Sequence, residues 1–163
     1  MTLKEIAEQL KEESTSSRTM LERVPKDKLD WKPHEKSMSM GRLSGLVADM
    51  FGWFGFMIGE DELDFEKYSG YPQEMAGDEL AAFLDKRLAE SLAAIEQKTD
   101  ATLEEKWVMR RGDQIFMETT KGKVSLQTLG HLAHHRGQLS VYLRLNDIPV
   151  PPMYGPTADE GSM

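Results

Sequence analysis

Residues 130–151 carry the sequence GHLAHHRGQLSVYLRLNDIPVP, in which apolar side chains return at the period of an α-helix. The run Asn-Asp-Ile-Pro at 146–149 contains residue types that commonly end a helix. The same stretch holds three of the four histidines of the chain. One face of the predicted helix is a leucine stripe made of Leu129, Leu132, Leu139 and Leu143. The stretch therefore predicts a long amphipathic helix that holds imidazoles at the margin of a helical core.

Three earlier segments show the same helical period. Together with the last helix, the predicted helices span residues 3–24, 40–58, 78–97 and 125–146. Ser125 is the predicted N-cap of the last helix. Residues 107–119 alternate loosely around Gly112, which predicts a short hairpin or an extended crossover before that helix.

Length and pattern together predict one all-α domain over residues 1–163. Four amphipathic helices joined by long connections favour an antiparallel four-helix bundle, in which sites are built from side chains on facing helices. A chain of 163 residues is long enough for one compact core and too short for two stable separate cores. Residues 147–163 are rich in proline and lack a helical period, so we expect an irregular tail.

Composition excludes several classes of function. The chain is 39% hydrophobic and 29% charged, and no run approaches the ~18 apolar residues of a membrane span. The net charge of −8 argues against nucleic-acid binding, which depends on clustered Lys and Arg. The acidic, amphipathic N-terminus lacks the pattern of a secretory signal, and cysteine is absent. We therefore expect a cytoplasmic protein that acts on a small molecule.

His131 and His135 are the candidate catalytic or metal-binding pair. They lie one turn apart on the predicted helix, within about 40° of each other, so both rings can point at one spot. Gln138 and Tyr142 continue the same stripe, whereas His134 lies more than about 60° away. The spacing alone leaves open a metal site, an acid–base pair or a histidine-rich wet surface.

The residue types of Arg136 and Gly137, next to the histidines, predict structural roles. Arg136 is expected to pair with an acid on another helix. Gly137 predicts a close helix approach, because a glycine in a helix interior otherwise costs about 1 kcal/mol.

Two long motifs resemble those of the DinB/YfiT-like superfamily of bacterial four-helix proteins. They are SMSMGRLSGLVADMFGW at residues 37–53 and GHLAHHRGQLSVYLRLNDIPVPPMYGPTADE at residues 130–160. The resemblance covers nearly the whole chain. It implies a bundle that is often dimeric and that holds zinc or nickel with three histidines, two of which correspond to His131 and His135. It also implies metal-dependent transfer of low-molecular-weight thiols to electrophiles.

Leu46 stands where the resemblance expects the third metal ligand. The expected helix-two pattern is like GRLAxHVAE, and this chain has GRLSGLVAD. Leucine cannot donate an electron pair, so we expect a two-histidine remnant with weakened affinity for metal. Asp49, one turn later, is either a substitute donor in a two-His, one-carboxylate set or an exposed acid on the edge of the helix. The departure fits a natural or an engineered loss of the ligand.

A second hypothesis is a metal-free apolar pocket that uses His131, His135 or Asp49 for proton transfer. Desolvation and the neighbouring ring should keep at least one imidazole neutral near pH 7. The predicted pocket residues are Leu46, Met50, Trp53, Gln138 and Tyr142. A third hypothesis is a non-catalytic module that forms a homodimer.

Overall fold

The structure is a computed structural model that describes residues 1–161. Four α-helices and a three-stranded sheet account for most of it. The helices are α1 (Leu3–Glu22), α2 (Met40–Gly59), α3 (Asp78–Glu96) and α4 (Lys121–Leu145). The strands are β1 (Glu62–Asp64), β2 (Lys106–Arg111) and β3 (Gln114–Thr120), and short 3-10 helices cover Lys26–Lys28 and Asp100–Glu104. The predicted four-helix architecture is confirmed.

α2 is the central helix of the bundle. Sixteen of its twenty residues are buried, and it packs against α3 and α4, while α1 packs mainly on α3. Glycines allow the close contacts of α2. A Cβ atom on Gly45 would lie 1.9 Å from the carbonyl oxygen of Pro72, and one on Gly55 would lie 2.7 Å from the Cα atom of Ser91. The α2 backbone is therefore in direct contact with its neighbours.

The segment before α4 is a β-hairpin, one of the two predicted alternatives. β2 pairs antiparallel with β3, and Gly112 takes a positive φ of 53° at the turn. Sequence analysis missed β1, which pairs parallel with β2 from the connection between α2 and α3. This pairing holds the hairpin beside the C-terminal end of α2 and the first turns of α4, where it forms one wall of the site described below.

α4 begins four residues earlier than predicted. Thr120 is its N-cap, and the Thr120 hydroxyl accepts from the Lys123 amide at 3.4 Å. Ser125 lies inside the helix, where its buried hydroxyl donates to the Lys121 carbonyl at 2.8 Å. The prediction of Ser125 as the cap was wrong because Lys121 is buried between Asp61 and Glu105, each 2.9 Å from its Nζ atom. This ion-paired lysine extends the helix back to the end of β3.

Arg136 pairs with an acid on another helix, as predicted. Its guanidinium is almost fully buried and forms an ion pair with Glu13 of α1. The same group donates to the Ser17 hydroxyl at 3.0 Å. The Tyr154 hydroxyl bonds both partners, so one buried pair ties α4, α1 and the irregular tail together.

None of the helices in the described part of the chain combines the length and apolarity that crossing a bilayer requires. The cytoplasmic location stays a prediction.

Candidate functional site

A cavity of about 490 Å³ lies between α2, α4, the hairpin and the loop that follows β1. Aromatic rings and methionines form most of its wall. The rings belong to Trp53, Phe56, Phe65, Tyr68, Tyr71 and Trp107, and the methionines are Met57, Met109 and Met117. His131 lies on the same wall. Leu46 of α2 lines this wall as well.

His131 and His135 are joined directly. Their Nε2 atoms are 2.8 Å apart, and Nδ1 of His135 lies 2.8 Å from Oε1 of Gln138. His135 is only 8% exposed, whereas His131 keeps an exposed flank. The indole ring of Trp53 packs near His131, with ring centroids 5.9 Å apart. The helix spacing that brought the two rings together therefore produces a hydrogen-bonded pair at the edge of the cavity.

The hydrogen bonds define where the protons lie. Oε1 of Gln138 can only accept, so Nδ1 of His135 carries the hydrogen and, in the neutral ring, its Nε2 has the lone pair. Nε2 of His131 must then donate across the 2.8 Å contact. This leaves the lone pair of the neutral His131 ring on Nδ1, to which no donor within residues 1–161 is bonded. His131 therefore presents a free proton acceptor.

Desolvation favours the neutral form of both rings. Desolvation is the main cause that lowers the pKa of His131, and the nearby charges of His135 and His134 lower it further. Desolvation also lowers the pKa of His135, against a smaller opposing effect of its hydrogen bond to Gln138. Both pKa values thus lie below the usual value for histidine, which favours the neutral form of each ring.

Asp49 is buried, so the expectation of an exposed acid is wrong. It is 4% exposed and accepts from the Trp53 indole at 2.7 Å and from the Tyr68 hydroxyl at 3.0 Å. Arg87 of α3 completes the set, with its Nε atom 3.0 Å from the carboxylate. Burial and the Asp49 charge raise the pKa of Tyr68, so Tyr68 stays protonated and holds its loop to α2. The Asp49 carboxylate is fully engaged in this network.

The donor set does not fit the metal centre that the resemblance implies. Two nitrogens bound to one tetrahedral zinc are about 3.3 Å apart, whereas the two Nε2 atoms are 2.8 Å apart and share a hydrogen. Leu46, at the expected third position, is aliphatic and 7% exposed on the cavity wall. Among residues 1–161, no three His, Cys, Asp or Glu side chains lie close enough together to hold an ion. Asp49 does not supply the missing donor.

The structure places the other four predicted pocket residues in four different positions. Trp53 is on the cavity wall, and Met50 is fully buried but is not part of that wall. Gln138 orients His135 from outside the wall. Tyr142 donates to the Met38 carbonyl at 3.0 Å and therefore anchors the loop before α2. Of these four, only Trp53 faces the cavity.

Sequence reasoning missed the half of the site that the sheet contributes. Trp107 and Met109 share one face of β2. The alternation of side chains along a strand is the sequence signal that indicates this shared face. Tyr68 and Arg87 carry no local signal, because their positions depend on contacts with Asp49 across the chain.

The chain is similar to known proteins over nearly its full length. A family model described as the DinB family matches residues 1–162. A DinB-like protein from Bacillus subtilis shares the fold with a TM-score of 0.71 and 22% identity, over 92% of this chain and 96% of that chain. A DinB-like protein from Bacillus cereus ATCC 10987 gives a TM-score of 0.72 and 19% identity, over 94% and 98% of the two chains. None of the curated proteins matches the chain significantly.

Proposed function

The chain belongs to the DinB family, and from that premise we propose that its cavity binds a flat, largely apolar small molecule and that His131 accepts a proton from it. The observation that carries the proposal is that His131 lines an aromatic cavity and has one ring nitrogen, Nδ1, without a partner among residues 1–161, while its other ring nitrogen is bonded to His135. The proposal needs no metal ion.

The cavity wall supports the choice of ligand. Its volume of about 490 Å³ lies within the range of ordinary small-molecule sites, roughly 300–1,000 Å³. Six aromatic rings favour stacking or edge contacts with another ring, and three methionine sulfurs adapt to its outline. The wall thus favours an aromatic ligand over a sugar or a highly charged metabolite.

The histidine pair supports the choice of chemistry. A phenol or a thiol with its hydrogen directed at Nδ1 of His131 would meet a neutral acceptor. When Nδ1 takes the proton, His131 becomes an imidazolium, and its Nε2–H donates to His135 as a charge-assisted hydrogen bond. Gln138 fixes His135 in the tautomer that accepts. The pair thus stabilises the proton that leaves the ligand.

The metal-dependent thiol transfer implied by the resemblance would need a third donor in place of Leu46. The proposed chemistry keeps the thiol or phenol as the acidic partner but assigns its deprotonation to His131. Leu46 then serves as part of the apolar wall.

A matched pair of probe molecules tests the proposal. Naphthalene and 2-naphthol share one ring system, and only 2-naphthol has a hydroxyl for His131. Tryptophan fluorescence should report saturable binding of both, because Trp53 and Trp107 line the cavity. We expect 2-naphthol to bind about tenfold more tightly, the equivalent of one good hydrogen bond. In His131→Leu the two affinities should become equal, while naphthalene still binds.

His34 supplies the matched control, since it lies in an exposed loop far along the chain from the pair. His34→Leu should keep the preference for 2-naphthol. The proposed function is wrong if neither probe saturates the protein, or if the preference survives His131→Leu.

A further inference from the structure

Arg87 is the residue by which α3 reaches the cavity. Within residues 1–161 it is the only aspartate, glutamate, lysine or arginine on the wall, and its side chain is 25% exposed. Sites for small molecules combine an apolar wall with a few polar groups that fix the orientation of the ligand. A guanidinium keeps its charge at every ordinary pH. Arg87 is therefore the group on this wall most able to select a ligand by charge.

Two acidic side chains occupy only part of the Arg87 guanidinium. Its Nε atom lies 3.0 Å from the Asp49 carboxylate, and its Nη1 atom donates to Glu90. The third nitrogen, Nη2, has no acceptor within residues 1–161 and is not sealed in the interior. Each terminal nitrogen of a guanidinium carries two hydrogens, and the group can only donate. Both hydrogens of Nη2 are therefore available to an acceptor from outside the chain.

The two acids that contact Arg87 differ in how firmly they are held. Asp49 is buried and also accepts from the Trp53 indole and the Tyr68 hydroxyl. The Glu90 side chain is 44% exposed and lies three residues after Arg87 on the same helix. Exposed ion pairs of this kind contribute little free energy. An anion in the cavity can therefore compete with Glu90 for the guanidinium while the contact with Asp49 stays in place.

Gly52 allows the Arg87 guanidinium to lie directly on the backbone of α2. A Cβ atom on Gly52 would lie 2.2 Å from Cζ and 2.3 Å from Nη2 of Arg87. A Cβ atom on Gly137 of α4, by contrast, would meet nothing within 4 Å, so the close helix approach predicted there is not found within residues 1–161. The missing side chain of Gly52 thus has a packing reason. It brings the guanidinium beside Trp53 on the cavity wall.

We propose that Nη2 of Arg87 binds a carboxylate of the ligand, which makes the ligand an aromatic acid. The inference rests on the proposed function, because it places this acid in the same cavity. A carboxylate fits the site better than a neutral acceptor does, since hydrogen bonds between two ionised groups are shorter and stronger than neutral ones.

The positions of Arg87 and His131 restrict the ligand further. α2 packs against both α3 and α4, so the two side chains reach the cavity from different helices. The Trp53 indole donates to Asp49, the partner of Arg87, and its ring also packs near His131. A ligand ring stacked on Trp53 would therefore meet the guanidinium and the imidazole at different edges. The acidic hydroxyl or thiol of the ligand lies away from its carboxylate.

Two probes of the same shape test the carboxylate site. At pH 7.5 2-naphthoate is ionised, whereas 2-naphthamide is neutral. Calorimetric titration of the wild-type protein should show 2-naphthoate binding at least about tenfold more tightly. Arg87→Met should remove this preference. His131→Leu should keep it, because Arg87 is still present, so the result does not depend on proton transfer to His131.

Glu90→Gln provides a test at an exposed position, where the substitution leaves the core intact. It removes the competing carboxylate and should tighten binding of 2-naphthoate at least about threefold, the size of one exposed ion pair. The affinity for 2-naphthamide should not change. Glu96→Gln removes the same charge from the exposed end of α3 and is the matched control, with wild-type affinity for both probes.

Equal affinities of the two probes for the wild-type protein overturn the proposal. A preference for 2-naphthoate that survives Arg87→Met overturns it as well, as does Glu90→Gln without a gain in affinity. If 2-naphthol binds through His131 and 2-naphthoate shows no preference, only the carboxylate site is wrong. If no aromatic probe saturates the protein, the proposed function and the carboxylate site are both wrong.

Discussion

His131 and His135 use the same ring nitrogen, Nε2, to bond each other at 2.8 Å. This contact occupies the two atoms that would otherwise converge on an ion. It also leaves Nδ1 as the nitrogen of His131 that has a free lone pair. Leu46 completes the arrangement by giving the neighbouring wall an aliphatic surface instead of a third nitrogen.

The tautomers of the two rings can be observed directly. We expect His131 to carry its hydrogen on Nε2 and His135 on Nδ1, because Oε1 of Gln138 can only accept. Long-range ¹H–¹⁵N correlation spectra at pH 7.5 distinguish the two forms. Gln138→Leu should remove the preference of His135 for the Nδ1–H form. A His131 ring protonated on Nδ1 in the wild-type protein would contradict the assignment.

Folding stability should depend on pH through the histidine pair. The pKa values of His131 and His135 are lowered by burial, so the unfolded chain binds more protons than the folded one below pH ~6.5. The free energy of unfolding should therefore be fully retained above pH ~6.5 and fall as pH drops through the lower, native pKa values. Urea titrations at a series of pH values measure this.

His131→Gln should reduce the loss of unfolding free energy at acid pH, because it removes one of the two histidines whose pKa is lowered. His34→Gln is the control and should keep the wild-type pH dependence. If both variants lose the same unfolding free energy at acid pH, the loss arises from groups other than His131 and His135.

Asp49 should contribute strongly to stability. Removing its carboxylate in Asp49→Ala leaves the Trp53 indole and the Tyr68 hydroxyl without an acceptor and Arg87 without its buried partner. Because Arg87 is partly exposed and also pairs with Glu90, we expect a loss of about 2 kcal/mol, less than for a fully buried pair.

Tyr68→Phe is the matched, milder change. It removes only the hydroxyl bond to Asp49 and should cost about 1 kcal/mol. Chemical denaturation of both variants should preserve that order. Equal losses would mean that the contacts of Arg87 and Trp53 with Asp49 contribute nothing measurable.

Glycine-to-alanine changes should have opposite signs in α2 and α4. Gly45→Ala directs a methyl group at the Pro72 carbonyl, which is backbone, so the loop must move at a cost of about 1–3 kcal/mol. Gly130→Ala meets open space and improves helix propensity by up to about 1 kcal/mol in the monomer. Thermal denaturation of dilute protein compares the two. A stabilising Gly45→Ala would contradict the packing of α2.

Much of the fold follows from local signals, and the site follows only in part. The helical period placed all four helices, and the Arg136–Glu13 pair agrees with its prediction. Ser125 was mistaken for a cap because its residue type is typical of caps and the burial of Lys121 has no local signature.

The cavity required information that local patterns do not hold. Spacing placed His131 and His135 side by side, and helix periodicity placed Leu46 facing inward. The wall made by Trp107 and the loop aromatics depends on the parallel pairing of β1 with β2, which joins residues more than forty positions apart. The burial of Asp49 likewise depends on Arg87 from another helix.

Zinc titration of the wild-type protein and of Leu46→His, followed by calorimetry, tests the central claim most directly. The account predicts weak binding by wild-type protein, because two bonded imidazoles and a leucine do not form a metal centre. It predicts that Leu46→His binds one zinc per chain at least about a hundredfold more tightly, since a third imidazole then shares the cavity wall with His131. Tight, equimolar zinc binding by the wild-type protein, unchanged in Leu46→His, would contradict it.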